Sequence, residues 1–186
     1  SSGDVASFIA SDNVAGGAEA AKELARIMSD KGEIIHLQGT PGASASRDRG
    51  KGFSDEIAKH SGIKVVAKQT ANFDRSKALD VTTNLVQAHP KVTGIFAEND
   101  EMAIGAISAL GSKAGKSVKV VGFDGTADGI KAVKAGTLGA TIAQQPGLLG
   151  KTAVDQAAEI LDGKEVSKTT PIKVLLVTKD NAKDYE

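Results

Sequence analysis

Short apolar runs recur along the chain, and most of them are β-branched and continuous rather than alternating with polar residues. This pattern is typical of strands that are buried on both faces of a parallel sheet. The first four runs begin about 30 residues apart, which is the size of a strand–helix–strand unit. We predict strands at residues 5–10, 33–38, 63–69, 93–97, 118–123, 139–143 and 172–178.

The stretches between these runs repeat apolar residues at helical spacing. Asp12 and Asn13 offer N-cap oxygens to the first helix, Gly32 ends it, and Pro90 closes the third. Strands that alternate with helices predict an α/β fold, a doubly wound and mainly parallel sheet with helices on both faces, in one lobe over residues 1–186. The predicted inner faces are Ala18, Ala21, Ala25 and Met28; Phe53 and Ile57; Leu79, Thr83 and Val86; and Met102, Ala106 and Ala109, with further helices at 127–135 and 147–162.

Composition narrows the function classes. Lys and Arg number 23 and Asp and Glu number 23, so the formal net charge is zero. Nucleic-acid binding and membrane-surface binding both need a basic excess, so neither partner is expected. Cysteine is absent, which excludes disulfides, thiolate zinc sites and thiol nucleophiles. The opening Ser1-Ser2-Gly3-Asp4 has neither an initiator Met nor a signal-peptide pattern, which we interpret as a mature, truncated or excised chain.

Ligands bind outside the carboxyl ends of the strands in open parallel sheets, and the sequence locates those ends. Phe73 and Phe123 stand at two of them, each followed by Asp, although the chain holds only 5 Phe, 1 Tyr and no Trp. An aromatic face beside carboxylate, amide and guanidinium groups suits a sugar, because the C–H face packs on the ring and the hydroxyls bond to the polar groups. The strand ends therefore predict a sugar site.

Two arginines lie near the start of the second predicted helix, and their spacing separates them. Arg47 and Arg49 are two residues apart, which places them about 200° apart around a helix, so they cannot share a face. Arg49 lies four residues before Phe53, on the inward stripe. We therefore predict Arg49 as the ligand-binding residue and Arg47 as a solvent-exposed one.

Ordinary structural roles compete with this interpretation. Helix capping explains Asp residues at strand ends, turn formation explains Asn99, and core packing explains the two Phe. Enzyme signatures are missing, since the sequence has no G-x-S-x-G elbow, Cys–His pair or Walker A loop, so no catalysis and no cofactor are expected. His60 and His89 fall at helix ends, where dipole stabilisation is favoured over metal ligation, so no metal site is expected either.

Six segments of the sequence carry a family resemblance: 9–13 (IASDN), 46–53 (SRDRGKGF), 71–75 (ANFDR), 97–103 (AENDEMA), 120–126 (VVGFDGT) and 140–144 (ATIAQ). Together they resemble the ribose-binding proteins of bacterial sugar ABC transporters, which belong to the periplasmic binding protein type I family. The resemblance spans nearly the whole chain and implies a flavodoxin-like lobe.

The resemblance implies specific sugar contacts. Arg49, Asn99 and Asp124 would hydrogen-bond the hydroxyls and the ring oxygen, while Phe73 and Phe123 would pack on the sugar. Gln144 would lie in a hinge strand, and Thr40 stands where the family often has an aliphatic side chain near the sugar. The full set of implied sugar-binding residues is Ser11, Arg49, Phe73, Asn99, Phe123, Asp124 and Gln144.

Family members have two similar lobes with the sugar between them, and this sequence corresponds to the carboxyl-terminal lobe only. The other lobe would add about 100 residues, a typical size for a small domain. The helix within 145–165 would pack on that lobe through a stripe formed by Leu149, Ala153, Ala157 and Leu161. Without the other lobe, the stripe stays exposed, tucks against the sheet or drives self-association. Of these three outcomes we expect self-association at high protein concentration.

The expected function is therefore the solute-binding component of a ribose ABC transporter, carrying half of the sugar site. The implied partners are D-ribose or a similar monosaccharide, a membrane permease and a chemoreceptor. The implied location is periplasmic or extracellular, with a cell-surface anchor in a Gram-positive source. Two alternatives stay open at this point: the effector-binding domain of a LacI-type sugar-responsive transcription regulator, and a small enzyme on the same scaffold.

Overall fold

The computed structural model describes residues 4–185, so Ser1, Ser2, Gly3 and Glu186 lie outside the described range. Strands and helices alternate through most of this range, and two short 3₁₀ helices follow α4 and end the described chain. The elements are β1 (Phe8–Ser11), α1 (Asn13–Ile27), β2 (Gly32–Gln38), α2 (Ser44–Ile57), β3 (Ile63–Thr70), α3 (Arg75–Ala88), β4 (Val92–Ala97), α4 (Asp100–Leu110), β5 (Lys119–Asp124), α5 (Ala127–Ala135), β6 (Ala140–Ala143), α6 (Pro146–Leu161), β7 (Thr169–Ile172) and β8 (Leu175–Thr178).

The central sheet has six strands in the order β3-β2-β4-β5-β6-β8. All neighbouring pairs are parallel except β6 and β8, which are antiparallel. Ile34, Ile35 and Leu37 of β2 are fully buried, although successive strand residues point to opposite faces. Burial on both faces explains the continuous apolar runs, and the predicted doubly wound α/β fold is confirmed.

Helices cover both faces of this sheet. On one face, Leu24 of α1 and Phe53 of α2 belong to the same buried cluster as Phe96 of β4. The rings of Phe53 and Phe96 stack with centroids 4.2 Å apart. On the other face, α3, α4 and α5 pack over a second cluster that contains Ile35 and Met102. The two clusters lie on opposite sides of the same strands, so the core has two layers.

Glycines set the spacing between α1 and α2. A methyl group at Gly17 would overlap the backbone of Arg49, and one at Gly52 would overlap the backbone of Val14. Only the missing side chains allow the two helix backbones to approach this closely. The close approach brings Arg49 of α2 next to the first turn of α1.

Two sequence-based expectations were wrong. The run 172–178 forms parts of two strands, because β7 ends at Ile172 and pairs with β1 in a separate parallel ribbon, while β8 joins the central sheet. The inner face predicted for α3 is also rotated, since Leu79 is 39% exposed and Ala78 is fully buried. Gly105 of α4 packs directly against Ala78, and this close contact favours the smaller side chain at the interface.

The β1–β7 ribbon and α6 stand apart from the two core layers. Helix α6 follows directly on Gln145, and none of the described residues Pro146–Leu161 is buried. Val154 is 69% exposed and Leu161 is 88% exposed. Within this single chain the predicted α6 stripe does not tuck against the central sheet, since Ala153, Ala157 and Leu161 are exposed. Across residues 4–185, no helix is both long and apolar enough to cross a bilayer.

Candidate functional site

The sequence-predicted site residues meet at the carboxyl edge of the central sheet, where a chain of side-chain contacts links most of them. Ser11 Oγ donates to Gln144 Oε1 at 2.7 Å, and Gln144 Nε2 donates to Asp124 Oδ1 at 2.8 Å. Asp124 in turn pairs with Arg49 Nη1 at 3.1 Å. These contacts run from the β1–β7 ribbon, through the end of β6, to the end of β5 and to Arg49 within α2.

Arg49 is the buried centre of this site. Its Nε donates to Asn13 Oδ1 at 2.9 Å, and its Nη1 donates to the backbone oxygen of Glu98 at 2.6 Å. Its Cζ lies 3.8 Å from the centroid of the Phe123 ring, within the range of a cation–π interaction. The side chain of Arg47 instead points to solvent and pairs with Asp48, as the helix spacing predicts.

The charges at the centre are held in a partly desolvated environment. Burial lowers the pKa of the Arg49 guanidinium and raises the pKa of the Asp124 carboxyl. The opposite charge of each partner opposes that shift, because it favours the ionised form. Asp124 keeps 24% of its side chain exposed, so this carboxylate has an edge available to a ligand.

Two of the site residues, Phe73 and Asp124, have strained backbone conformations. Asp124 has φ 117°, and Asn72 and Phe73 have φ 56° and 61°, in the positive range that side chains rarely adopt. The Phe73 ring lies over Gly39, where a methyl group would overlap it. Such conformations persist only where the surroundings hold them, and they concentrate at functional sites.

Asn99 is engaged in local structure, as the N-cap of a helix and not as the turn former that the sequence suggested. Its Oδ1 accepts from the Met102 backbone N–H at 2.9 Å and caps α4, while its Nδ2 lies 3.4 Å from the Phe73 backbone oxygen. Asp12 and Asp74 also cap helices, by accepting from the backbone N–H groups of Ala15 and Lys77. Capping therefore accounts for Asp12 and Asp74 without any ligand.

Phe123 does not meet its expectation. The ring has no exposed surface and lies in the core layer beneath α1, with Arg49 above it. As placed, it supports the guanidinium and has no face free to pack on a sugar. Phe73 remains the half-buried aromatic side chain at this edge.

Sequence reasoning missed Glu98, a buried carboxylate beside the site with three hydrogen-bond partners. This fully buried carboxylate accepts from His36 Nε2 at 2.8 Å, from the Gly39 backbone N–H at 2.7 Å and from the Ser46 hydroxyl. It ties β2, the following loop and α2 to the end of β4. Its position before Asn99 at a strand end was visible in the sequence, but its partners come from distant segments.

Nothing in the described range resembles a metal centre, since residues 4–185 contain no group of three or more His, Asp or Glu side chains placed to hold an ion. The arrangement offers hydrogen-bond donors and acceptors around one ion pair and an aromatic ring at the open edge of a sheet. This is the chemistry of recognition of a small polar molecule.

Fold and site together define a ligand-binding α/β lobe, and the β1–β7 ribbon reaches its site through Ser11. The chain belongs to the periplasmic binding protein family, because residues 1–165 match the periplasmic binding protein domain. It is 49% identical to the ribose import binding protein RbsB of Salmonella typhimurium over 177 residues, which are 95% of this chain and 60% of that protein. It is 48% identical to RbsB of Bacillus subtilis, over 92% of this chain and 56% of that protein.

A solved structure shows the same fold. The ABC transporter periplasmic solute binding protein from Actinobacillus succinogenes, with bound D-allose, matches with a TM-score of 0.92 and 36% identity, over 96% of this chain and 64% of that one. The chain thus spans 60% of the length of RbsB of Salmonella typhimurium and 56% of that of RbsB of Bacillus subtilis.

Proposed function

We propose that this chain is the carboxyl-terminal lobe of the solute-binding component of a ribose ABC transporter, and that it carries half of the sugar site. The observation that carries the proposal is the connected set Ser11–Gln144–Asp124–Arg49, with Phe73 beside it, at the edge where a ligand of such a sheet binds. The names of the relatives support ribose as the first ligand to test.

The proposed binding mode assigns a task to four of the site residues. The exposed edge of Asp124 accepts hydrogen bonds from sugar hydroxyls, and Arg49 donates to a hydroxyl or to the ring oxygen when the sugar displaces part of its present pairing. Asn99 completes the polar set, and Phe73 packs on the C–H face. Charged hydrogen bonds are the strong ones, so the ion pair dominates the affinity.

Phe123 takes a different task in this proposal. Its ring fixes the plane of the Arg49 guanidinium from below, so it shapes the site without touching the sugar. Ser11 and Gln144 connect the site to the β1–β7 ribbon, which places them where movement of a second lobe would be transmitted. Closure of two lobes around a ligand is the general hinge mechanism of such proteins.

The partners follow from the same proposal. The whole protein would deliver a monosaccharide to a membrane permease, and a chemoreceptor is a further candidate partner, in the periplasm or at the cell surface. Binding and release require no bond-making step, so we propose no enzymatic activity. The exposed face of α6 would pack on the other lobe, and in the isolated chain it favours self-association.

The test is a titration of the chain with D-ribose, followed by ¹H–¹⁵N NMR chemical shifts, with D-allose and myo-inositol as comparison ligands. We expect ribose-dependent shifts at Gly125, Asn99 and the Gln144 side-chain amide, and smaller shifts with myo-inositol. The absence of any ribose-dependent shift at these groups would contradict the proposal. Shifts confined to the opposite edge of the sheet would contradict it as well.

A further inference from the structure

Asp100 is a buried carboxylate that lies next to the proposed site but does not belong to it. The residue opens α4 and is 1% exposed. Its Oδ1 accepts from Thr141 Oγ1 at 2.7 Å, and its Oδ2 accepts from the Thr126 backbone N–H at 2.8 Å and from Thr126 Oγ1 at 3.1 Å. Two glycines leave the space for it, since a methyl group at Gly122 or Gly129 would overlap its oxygens.

These bonds hold the turn that follows β5. Asp124 has φ 117° and Gly125 has φ 74°, so the backbone turns sharply where the Asp124 side chain leaves it. Thr141 Oγ1 accepts from the Gly125 N–H at 3.2 Å while it donates to Asp100, and Thr126 Oγ1 accepts from the Gly129 N–H at 3.0 Å while it also donates to Asp100. Both backbone N–H groups after Asp124 are therefore bonded, directly or through a hydroxyl, to Asp100.

A strained conformation needs such an anchor. A residue at a rarely populated φ relaxes unless its neighbours fix it. The side-chain contacts of Asp124, with Arg49 and Gln144, belong to the polar set that a sugar would reorganise. Its backbone oxygen accepts from the Gln144 N–H at 3.0 Å, which holds the residue on the β6 side but leaves the N–H groups that follow it to other partners. Asp100 lies on the protein side of the turn, so its bonds persist when a ligand enters.

We propose that Asp100 is a positioning residue for the sugar site, which holds the turn 124–126 so that Asp124 faces Arg49 and Gln144. This inference rests on the proposed function as far as the sugar is concerned. The placement of Asp124 itself is a property of the unliganded chain and is measurable without any sugar.

The electrostatics of Asp100 separate a positioning role from a stabilising one. Burial raises its pKa to about 6, and the charge of Asp124 adds to the shift, while the hydroxyl and backbone bonds oppose it. The charged groups that face this region are Asp124 on β5 and Arg49 on α2. An ionised carboxylate here costs folding stability at neutral pH. Removal of the charge alone is therefore expected to favour folding stability while it weakens sugar binding.

The test compares Asp100→Asn and Asp100→Ala with the unchanged chain. Asn removes the charge and keeps one acceptor oxygen, although the present donors bond to both carboxylate oxygens. Ala removes both oxygens and leaves the Thr126 N–H without an acceptor. We expect ribose affinity to fall about fivefold in Asp100→Asn and by a larger factor in Asp100→Ala, with unfolding midpoints of Asp100→Asn at neutral pH no lower than those of the unchanged chain. Hydrogen exchange of the Gln144 side-chain amide should accelerate in both variants, because its acceptor Asp124 is released.

Thr82→Val is the matched control. Thr82 is a fully buried polar residue of α3, away from the site, and its hydroxyl has no partner among the described residues. This variant should leave ribose affinity and Gln144 exchange unchanged. Unchanged Gln144 exchange in both Asp100 variants would overturn the inference, whatever the affinities. If the unchanged chain fails to bind ribose, the proposed function fails, and Gln144 exchange still decides whether Asp100 holds the turn.

Discussion

The side-chain amide of Gln144 donates a hydrogen bond to Asp124 at 2.8 Å, and the same side chain accepts one from Ser11. Gln144 directly follows β6, two residues before α6 begins, so it lies where the chain leaves the central sheet. The proposed sugar-binding ion pair is thus tied to the segments that depart from the lobe. Any movement of β1 relative to the sheet is expected to change the hydrogen bonding of Asp124.

Ribose binding by the isolated chain should be weak. A complete site with micromolar affinity corresponds to about −8 kcal/mol, and half of that interaction leaves about −4 kcal/mol, which is millimolar. We expect a dissociation constant in the millimolar range or weaker in an NMR titration. Submicromolar binding in a calorimetric titration would show that this lobe encloses the sugar by itself.

Arg49→Ala should damage the site and the fold together. It leaves Asp124 without its ion partner and removes a bond to Asn13, and the loss of one member of a buried pair costs about 3 kcal/mol of folding stability. Ribose-dependent shifts at Gly125 should disappear. Arg47→Ala is the control, because the one ion pair of Arg47 among residues 4–185 is with Asp48 at the surface, and such pairs contribute less than about 1 kcal/mol. If Arg47→Ala weakened ribose binding and Arg49→Ala had no effect, the assignment of Arg49 as the ligand-binding residue would be refuted.

Much of this arrangement follows from the sequence, but some of it depends on contacts between distant segments. The burial of Arg49 and the exposure of Arg47 follow from helical spacing alone, because each residue advances a helix by a fixed angle. Glu98 shows the opposite case. Its role depends on His36, Gly39 and Ser46, which the fold brings together from 52 to 62 residues away, and no local pattern encodes those contacts.

The placement of Phe123 and the path of the last strands also depend on contacts between distant segments, so local sequence patterns do not predict them. A Phe at a strand end suits a ligand face and a core position equally well by sequence. The outcome depends on Gly16 of α1, where the absent side chain makes room for the ring to lie inward. The division of 172–178 between two sheets likewise depends on β1 as a pairing partner, far away in the sequence.

Glu98→Gln should destabilise the chain by about 2 kcal/mol in denaturant unfolding. Gln keeps one acceptor oxygen but turns an amide group toward donors that now bond to the carboxylate, so at least one buried donor loses its partner. Glu159→Gln on the exposed surface of α6 is the matched control and should change stability by less than about 0.5 kcal/mol. Equal effects of the two substitutions would mean that the Glu98 bonds contribute nothing net.

Acid should stabilise the chain over a limited pH window. Burial raises the pKa of Asp100 to about 6, above its value in the unfolded chain, and also raises the pKa of Asp124. The folded state then binds protons more readily than the unfolded state, so the Asp100 contribution to unfolding free energy grows as the pH falls from about 6.5 to about 4, by up to about 3 kcal/mol.

The Asp128 carboxyl acts in the opposite direction, because Arg75 lowers its pKa and acid removes that interaction at lower pH. Urea unfolding across this window measures the sum. The difference in unfolding free energy between the unchanged chain and Asp100→Asn isolates the Asp100 contribution, and it should shift in favour of the unchanged chain on acidification. A difference that stays constant with pH would mean that Asp100 titrates alike in both states.

Self-association of the isolated chain should depend on α6. Val154 and Leu161 are 69% and 88% exposed on a helix that has no buried residue in its described length, and an apolar surface of this kind favours association. We expect the sedimentation coefficient to rise over a hundredfold increase in protein concentration, and Val154→Lys with Leu161→Lys to abolish the rise. Because these side chains contact little within the chain, the substitutions should leave unfolding free energy unchanged, and Glu159→Gln should leave association unchanged. A single monomeric species at every concentration would show that the exposed face of α6 tolerates water, and the proposed need for a partner would then be abandoned.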